Sequence, residues 1–136
     1  MSCNPYINFD GTCRPALEFY QSVFKLEAPQ IMTYGDAPGL PPDASDEDKN
    51  RVLHAMLPIC GSHMMFSDCP ASFPLVQGNN VTISLGFAGK EEATRIYNEL
   101  SAGGVIHMPL EKTFFSELFS MFTDKFGILW QVSLES

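Results

Sequence analysis

The chain has 136 residues, with 8 Lys and Arg against 16 Asp and Glu, a formal charge of −8 and a hydrophobic fraction of 45%. This is enough apolar content for a core and too much for a disordered chain. An acidic surface without clustered Lys or Arg argues against nucleic acid or an anionic membrane as partner.

From the amino end, Pro5 to Phe9 alternate and stop at Asp10-Gly11, which predicts a short strand ending in a turn. In the next segment, CRPALEFYQSVF, Leu17, Phe19, Tyr20, Val23 and Phe24 recur at helical spacing, with Pro15 in the first turn. A further strand is expected from about Pro29 to Tyr34. Residues 35–50, GDAPGLPPDASDEDKN, hold three prolines, two glycines and five acidic residues. They read as a solvated loop, with Ser45 as N-cap of a short helix. Val52–Ile59 and Ser62–Ser67 flank Cys60-Gly61 and predict a hairpin. CPASFPLVQGNN reads as a linker. VTISLGF then alternates cleanly, KEEATRIYNEL is amphipathic, and Gly103-Gly104 ends that helix. Val105–Met108, about Leu118–Thr123, and Ile128–Leu134 complete the strands.

The order strand, helix, strand, strand, strand therefore occurs twice. ALEFYQSV lies over ATRIYNEL, with Ala16 on Ala93 and Tyr20 on Tyr97. HAMLPICGSHMMFS lies over SMFTDKFGILWQVS, with Gly61 on Gly127 and Ser67 on Ser133. A repeat of this kind indicates two copies of one supersecondary unit. The expected fold is α+β: two βαβββ modules form a curved eight-stranded mixed sheet around a concave cavity, with helices on the outer face. Module one covers about residues 1–70, the linker about 70–79 and module two about 80–136.

YINFDGTCRPALEFYQSVF, HAMLPICGSHMMFSD and MPLEKTFFSELFSMFTDKFGILWQV resemble the PhnB-like branch of the vicinal oxygen chelate superfamily, which includes glyoxalase I, extradiol dioxygenases and bleomycin-resistance proteins. The F-x-G-x-C…A-x-x-F-Y opening and TDKFGILW are the most specific parts of the likeness. The branch also carries a ubiquinone-methyltransferase label. The sequence has no Gly-rich nucleotide loop after a strand to support it.

Alternation assigns the concave face. Trp130 and Val132 belong to the core, which turns Gln131 and Ser133 inward. The repeat adds His63, Met65 and Ser67, and a two-residue turn at Cys60-Gly61 sets Met56 opposite Met65 and His54 opposite Ser67. The same step sets Phe122 opposite Gln131. Thr82 and Ser84 face inward from the second module's first strand. In the first strand, alternation favours Tyr6 and Asn8 inward, whereas a register anchored on the helix favours Pro5 and Ile7.

In metal-dependent members, the resemblance implies four ligands: His or Gln from the first strand of each module and often Glu from the last. The matching positions are Tyr6 (or Pro5), Met65, Thr82 and Gln131. Met and Thr are poor donors for a divalent ion, and no carboxylate is present, so no metal and no other cofactor is expected. His54 is the candidate general acid or base; a hydrogen-bonded interior histidine is the alternative. Asp68 reads as a turn residue and His107 as surface. The four cysteines, none in a C-x-x-C pair and with no secretory signal ahead of them, read as reduced thiols of a cytoplasmic protein. The expected activity is metal-free binding of a small molecule. The competing readings are a metal-dependent or His-based lyase, isomerase or dioxygenase, and a structural or regulatory dimer with a vestigial cavity. A homodimer is the expected assembly.

Overall fold

The structure, a computed structural model, describes residues 1–70 and 72–135. The chain divides into two compact units, Met1–Val76 and Gln77–Ser136, and the division falls inside the segment read as a linker. In the first unit, β1 (Tyr6–Phe9) leads into α1 (Cys13–Val23). A two-residue strand, β2 (Met32–Thr33), is followed by a 3-10 turn (Tyr34–Asp36) and then α2 (Asp46–Asn50). β3 (Val52–Ile59) and β4 (Ser62–Asp68) form the hairpin. The sheet order is β1-β4-β3-β2, with β1 parallel to β4. In the second unit the elements are β5 (Ile83–Phe87), α3 (Lys90–Leu100), β6 (Val105–Glu111), β7 (Phe119–Thr123) and β8 (Leu129–Leu134). Their order is β5-β8-β7-β6, with β5 parallel to β8. Each module is thus a four-stranded mixed sheet, and the repeat seen in the sequence is a repeat of topology. Among the described residues, no helix is long and apolar enough to cross a membrane.

Each sheet buries one face under its helix. α1 contributes Cys13, Ala16, Leu17, Tyr20 and Val23, all buried at helical spacing. Tyr20 stacks on Phe66, which also stacks on Phe9. α3 contributes Ala93, Ile96 and Leu100, and the Tyr97 ring meets the buried Phe122 edge-on. Burying one such aromatic side chain contributes on the order of 2–3 kcal/mol.

The first hairpin turns on Cys60 and Gly61, both at positive φ (47° and 83°), as a two-residue turn that follows strand twist requires. Its register runs from Ala55 opposite Phe66 to Ile59 opposite Ser62, as the turn predicts. The second hairpin differs. Thr123 pairs with Leu129, leaving a five-residue turn, so Met121 and not Phe122 lies opposite Gln131. A slip of one residue reverses every side chain, and Phe122, opposite Trp130, belongs to the core. Gly127 in this turn has φ +91°, and a Cβ there would collide with the Gln77 amide.

Two buried carboxylates replace what alternation leaves undefined. Asp68, at the end of β4, accepts the backbone N–H groups of Gly11 (2.8 Å), Cys13 (3.1 Å) and Val52 (2.9 Å). It is an internal tie between three segments, not the ordinary turn residue expected from the sequence. Asp124 accepts the N–H groups of Phe126 (2.8 Å) and Ile128 (3.1 Å) and the Trp130 indole N–H (2.8 Å). Among the described residues, no buried side-chain polar atom lacks a partner. Replacing Asp68 with Asn substitutes an N–H₂ donor for one acceptor oxygen and leaves buried amides unmet. Asp68→Asn is expected to lower stability by about 2–4 kcal/mol, read as a reduced urea midpoint. An exposed Asp46→Asn control is expected to leave the midpoint within about 0.5 kcal/mol of the wild type.

Candidate functional site

The face of the first sheet opposite α1 collects the side chains that alternation assigned to it. Tyr6 pairs with Met65, and Asn8 with Ser67. Met65 pairs with Met56, and His63 with Pro58. Strand pairing therefore supports the register that turns Tyr6 and Asn8 to this face, with Phe9 buried on the other. The Tyr6 hydroxyl lies 3.3 Å from His54 Nδ1, and the two rings are 5.9 Å apart. Ser67 donates to Asn8 Oδ1 at 2.8 Å, so its buried hydroxyl is already satisfied. His54 is half-buried and His63 exposed. Beside His54, Met56 and Pro58, the residues that follow α1, Lys25 to Gln30, wall an open cavity of about 670 Å³. None of the residues that β1, β3 and β4 present to this face (Tyr6, Asn8, His54, Met56, Pro58, His63, Met65, Ser67) carries a fixed charge.

The second sheet's corresponding row is Ser84, Gln131 and Met121. Ser84 pairs with Gln131 as Tyr6 pairs with Met65, so Ser84 and not Thr82 is the counterpart of Tyr6. Thr82 precedes β5. Within this unit an open cavity of about 760 Å³ lies between the 112–117 loop, Phe119 and Ser133–Glu135. Phe115 meets both Phe114 and Phe119 edge-on. His107, read as surface, is exposed and bonded to Thr123 Oγ1 at 2.7 Å.

Sequence reasoning missed a third cavity, of about 260 Å³, bounded by Tyr34, Leu40, Pro41, Ala44, Asp48, Arg51, Cys69 and Pro70. The acidic insertion is fastened down around it. Tyr34 donates its hydroxyl to the Asp68 carbonyl at 2.8 Å and its amide to the Arg51 carbonyl at 3.0 Å. Ser45 caps α2 by accepting the Asp48 amide. Arg51 is paired with Asp10. The Ser45 cap was legible; the tyrosine anchor carries no sequence signal.

The resemblance implies His, Gln or Glu donors at about 2 Å for a divalent ion of the superfamily type, and of the four equivalent positions only Gln131 carries one. The equivalent positions carry a phenol, a thioether, a hydroxyl and a carboxamide: Tyr6, Met65, Ser84 and Gln131. This donor set does not fit such an ion. Among the described residues, no group of three or more His, Cys, Asp or Glu side chains is placed to hold one.

All four cysteines are free thiols. Cys13 is buried, and desolvation, reinforced by Asp68, pushes its pKa well above the ordinary value. Desolvation also raises Cys69. Both are held protonated and are poor nucleophiles.

Residues 2–133 match the model of a family described as 3-demethylubiquinone-9 3-methyltransferase. The chain belongs to this family. Protein YjdN of Escherichia coli (strain K12) is 29% identical over 141 residues, covering 98% of this chain and 95% of the relative. The crystal structure of PA1353 from Pseudomonas aeruginosa matches with a TM-score of 0.86 and 34% identity, over 99% of this chain and 98% of that one. A PhnB protein from Bacillus cereus shares the fold, with a TM-score of 0.77 at 23% identity over 99% of this chain and 100% of that one. A glyoxalase-related enzyme and a glyoxalase/bleomycin resistance protein/dioxygenase family enzyme share the fold at lower identity.

The raised thiols have a consequence in alkali. A folded pKa above the unfolded value adds stability that is present below the unfolded pKa and lost as pH rises through the folded one. Above the ordinary cysteine value of 9.0, the unfolded PhnB-like chain sheds the Cys13 and Cys69 protons while the folded chain keeps them. The urea midpoint is expected to fall between pH 8 and pH 10, and to fall less steeply in Cys13→Ala.

Proposed function

We propose that this PhnB-like protein binds a small organic molecule on the open face of the first sheet, without a metal. The observation that carries this reading is the Tyr6–His54 pair, set among Met56 and Met65 and beside an open cavity. Apolar walls with a few placed polar groups are the usual composition of a ligand site. Methionine thioethers adapt to an irregular ligand surface, and the phenol and imidazole supply directional hydrogen bonds. The family's descriptive name refers to methyl transfer, but the chain offers no Gly-rich strand-to-helix loop to seat a nucleotide-based donor. Four free thiols support a reducing, cytoplasmic setting.

A second reading has one specific support. The Tyr6 hydroxyl at His54 Nδ1 orients the imidazole, with either group able to donate, and leaves Nε2 for the bound molecule. In that reading His54 is a general base acting on the bound molecule.

A thermal-shift screen of a metabolite library tests the first reading. At least one compound is expected to raise Tm in proportion to the logarithm of its concentration. His54→Ala is expected to weaken that compound about tenfold, and Tyr6→Phe about fivefold. Added Zn, Ni, Mn or Fe is expected to leave Tm unchanged. Stoichiometric metal in the purified protein, lost on Gln131→Ala, would overturn the metal-free reading. A bound compound converted to product by the wild type and not by His54→Ala would favour the second.

A further inference from the structure

The cavity beneath the acidic insertion has no part in the site proposed above. It measures about 260 Å³ and lies within the first unit, between the insertion and the end of β4. Leu40, Pro41, Ala44 and Pro70 supply apolar wall, and the protonated Cys69 thiol adds to it. Sites for drug-sized molecules run from about 300 to 1,000 Å³, so this volume suits a single ring or a short chain. The walls are held in place without a ligand. Tyr34 is tied to the Asp68 and Arg51 carbonyls, and the Ala44 amide donates to the Pro41 carbonyl at 3.0 Å. Lys49 packs closely on Gly35, where a Cβ would lie 3.0 Å from the Lys49 carbonyl. A cavity already ordered in this way costs a ligand little entropy to enter.

Three polar side chains complete the lining, and they are engaged to different extents. Arg51 donates to Asp10 at 2.5 Å and to the Cys69 carbonyl at 3.5 Å. Tyr34 gives its hydroxyl proton to the Asp68 carbonyl, so toward a ligand its oxygen acts as an acceptor. Asp48 bonds to Ser45 through its amide. Among the described residues, no hydrogen bond or ion pair engages its carboxylate. The remaining donors of Arg51 would by themselves suit an anion, but the charges around them do not. The hydrogen bond to Asp10, and then the fields of Asp68, Asp10 and Asp48, hold the guanidinium above its ordinary pKa, with burial opposing them. One positive charge is therefore outnumbered by three carboxylates, and the local potential attracts cations.

We propose that this cavity binds a small organic cation, a primary amine on a single ring or short apolar chain. Its ammonium pairs with Asp48, and its apolar part lies against Leu40, Pro41 and Ala44. None of the lining residues belongs to the Tyr6–His54 face, so the proposal stands apart from the function read there.

Amide chemical shifts of the full ¹⁵N-labelled chain, followed during titration at pH 7, test it. The probes are 2-phenylethylamine and n-hexylamine, with neutral 2-phenylethanol and anionic 3-phenylpropionate for comparison. At least one amine is expected to give saturable shifts at residues 34–51 and 69–70, with none at Tyr6, His54 or Met65. The alcohol is expected to bind about fivefold more weakly and the carboxylate more weakly still. Raising the salt concentration is expected to weaken the amine and leave the alcohol unchanged. Asp48→Asn, an exposed position, is expected to bring the amine down to the level of the alcohol. Ala44→Trp is expected to fill the cavity and weaken both at least tenfold, with circular dichroism as the check on folding. The proposal is overturned if neither amine gives saturable shifts in these segments. Equal binding of amine and alcohol also overturns it, as does amine binding unaffected by Asp48→Asn.

Discussion

A carboxylate in each module does what hydrophobic contact cannot. Burying the end of a β-strand against the start of a helix strands backbone N–H groups away from water, and each unmet donor carries a penalty. Asp68 removes that penalty at the junction of β1, α1 and β3 by accepting three amides at once. Its main-chain carbonyl also receives the Tyr34 hydroxyl. The parallel pairing of β1 with β4, and hence the position of Tyr6 beside Met65, depends on this junction. In the second module Asp124 closes the β7–β8 turn and holds the Trp130 indole, fixing the register that presents Gln131. Both sites thus place open-face residues through the backbone rather than by touching them.

Periodicity made most of this architecture legible. Helical spacing located α1 and α3, alternation separated the faces of β1, β5 and β8, and Cys60-Gly61 specified its hairpin. The second hairpin escaped because the repeat was carried across it one residue out of step. Gly127 matches Gly61 in the alignment, yet it sits in a longer turn that Asp124 organises. Turn length is set there by hydrogen bonds to one carboxylate, which have no periodicity to read. The repeat therefore points Phe122 to the open face although it is part of the core, and points to Thr82 where strand pairing selects Ser84. The ties made by Asp68 and Tyr34 link residues far apart in the chain, for which a single sequence carries no signal.

The open-face strands of both sheets are poor in charge in an acidic protein. Tyr6, His54, Met56 and Met65 in one module, and Ser84, Met121 and Gln131 in the other, offer hydrogen bonds and polarisable surface but no carboxylate and no guanidinium. Membership of the family therefore identifies the architecture and says little about the reaction.

The acidic insertion has a further consequence. Its two ends are joined directly, Tyr34 to Arg51, through the amide-to-carbonyl bond at 3.0 Å. A segment whose ends already meet costs little extra closure entropy when it grows or shrinks. Residues 35–50 are thus a cassette: their length and charge can drift without altering the strands on either side. Five of the sixteen acidic residues lie in it. Much of the protein's electrostatic character is therefore free to evolve separately from its sheets, and relatives with the same fold need not share the same isoelectric point.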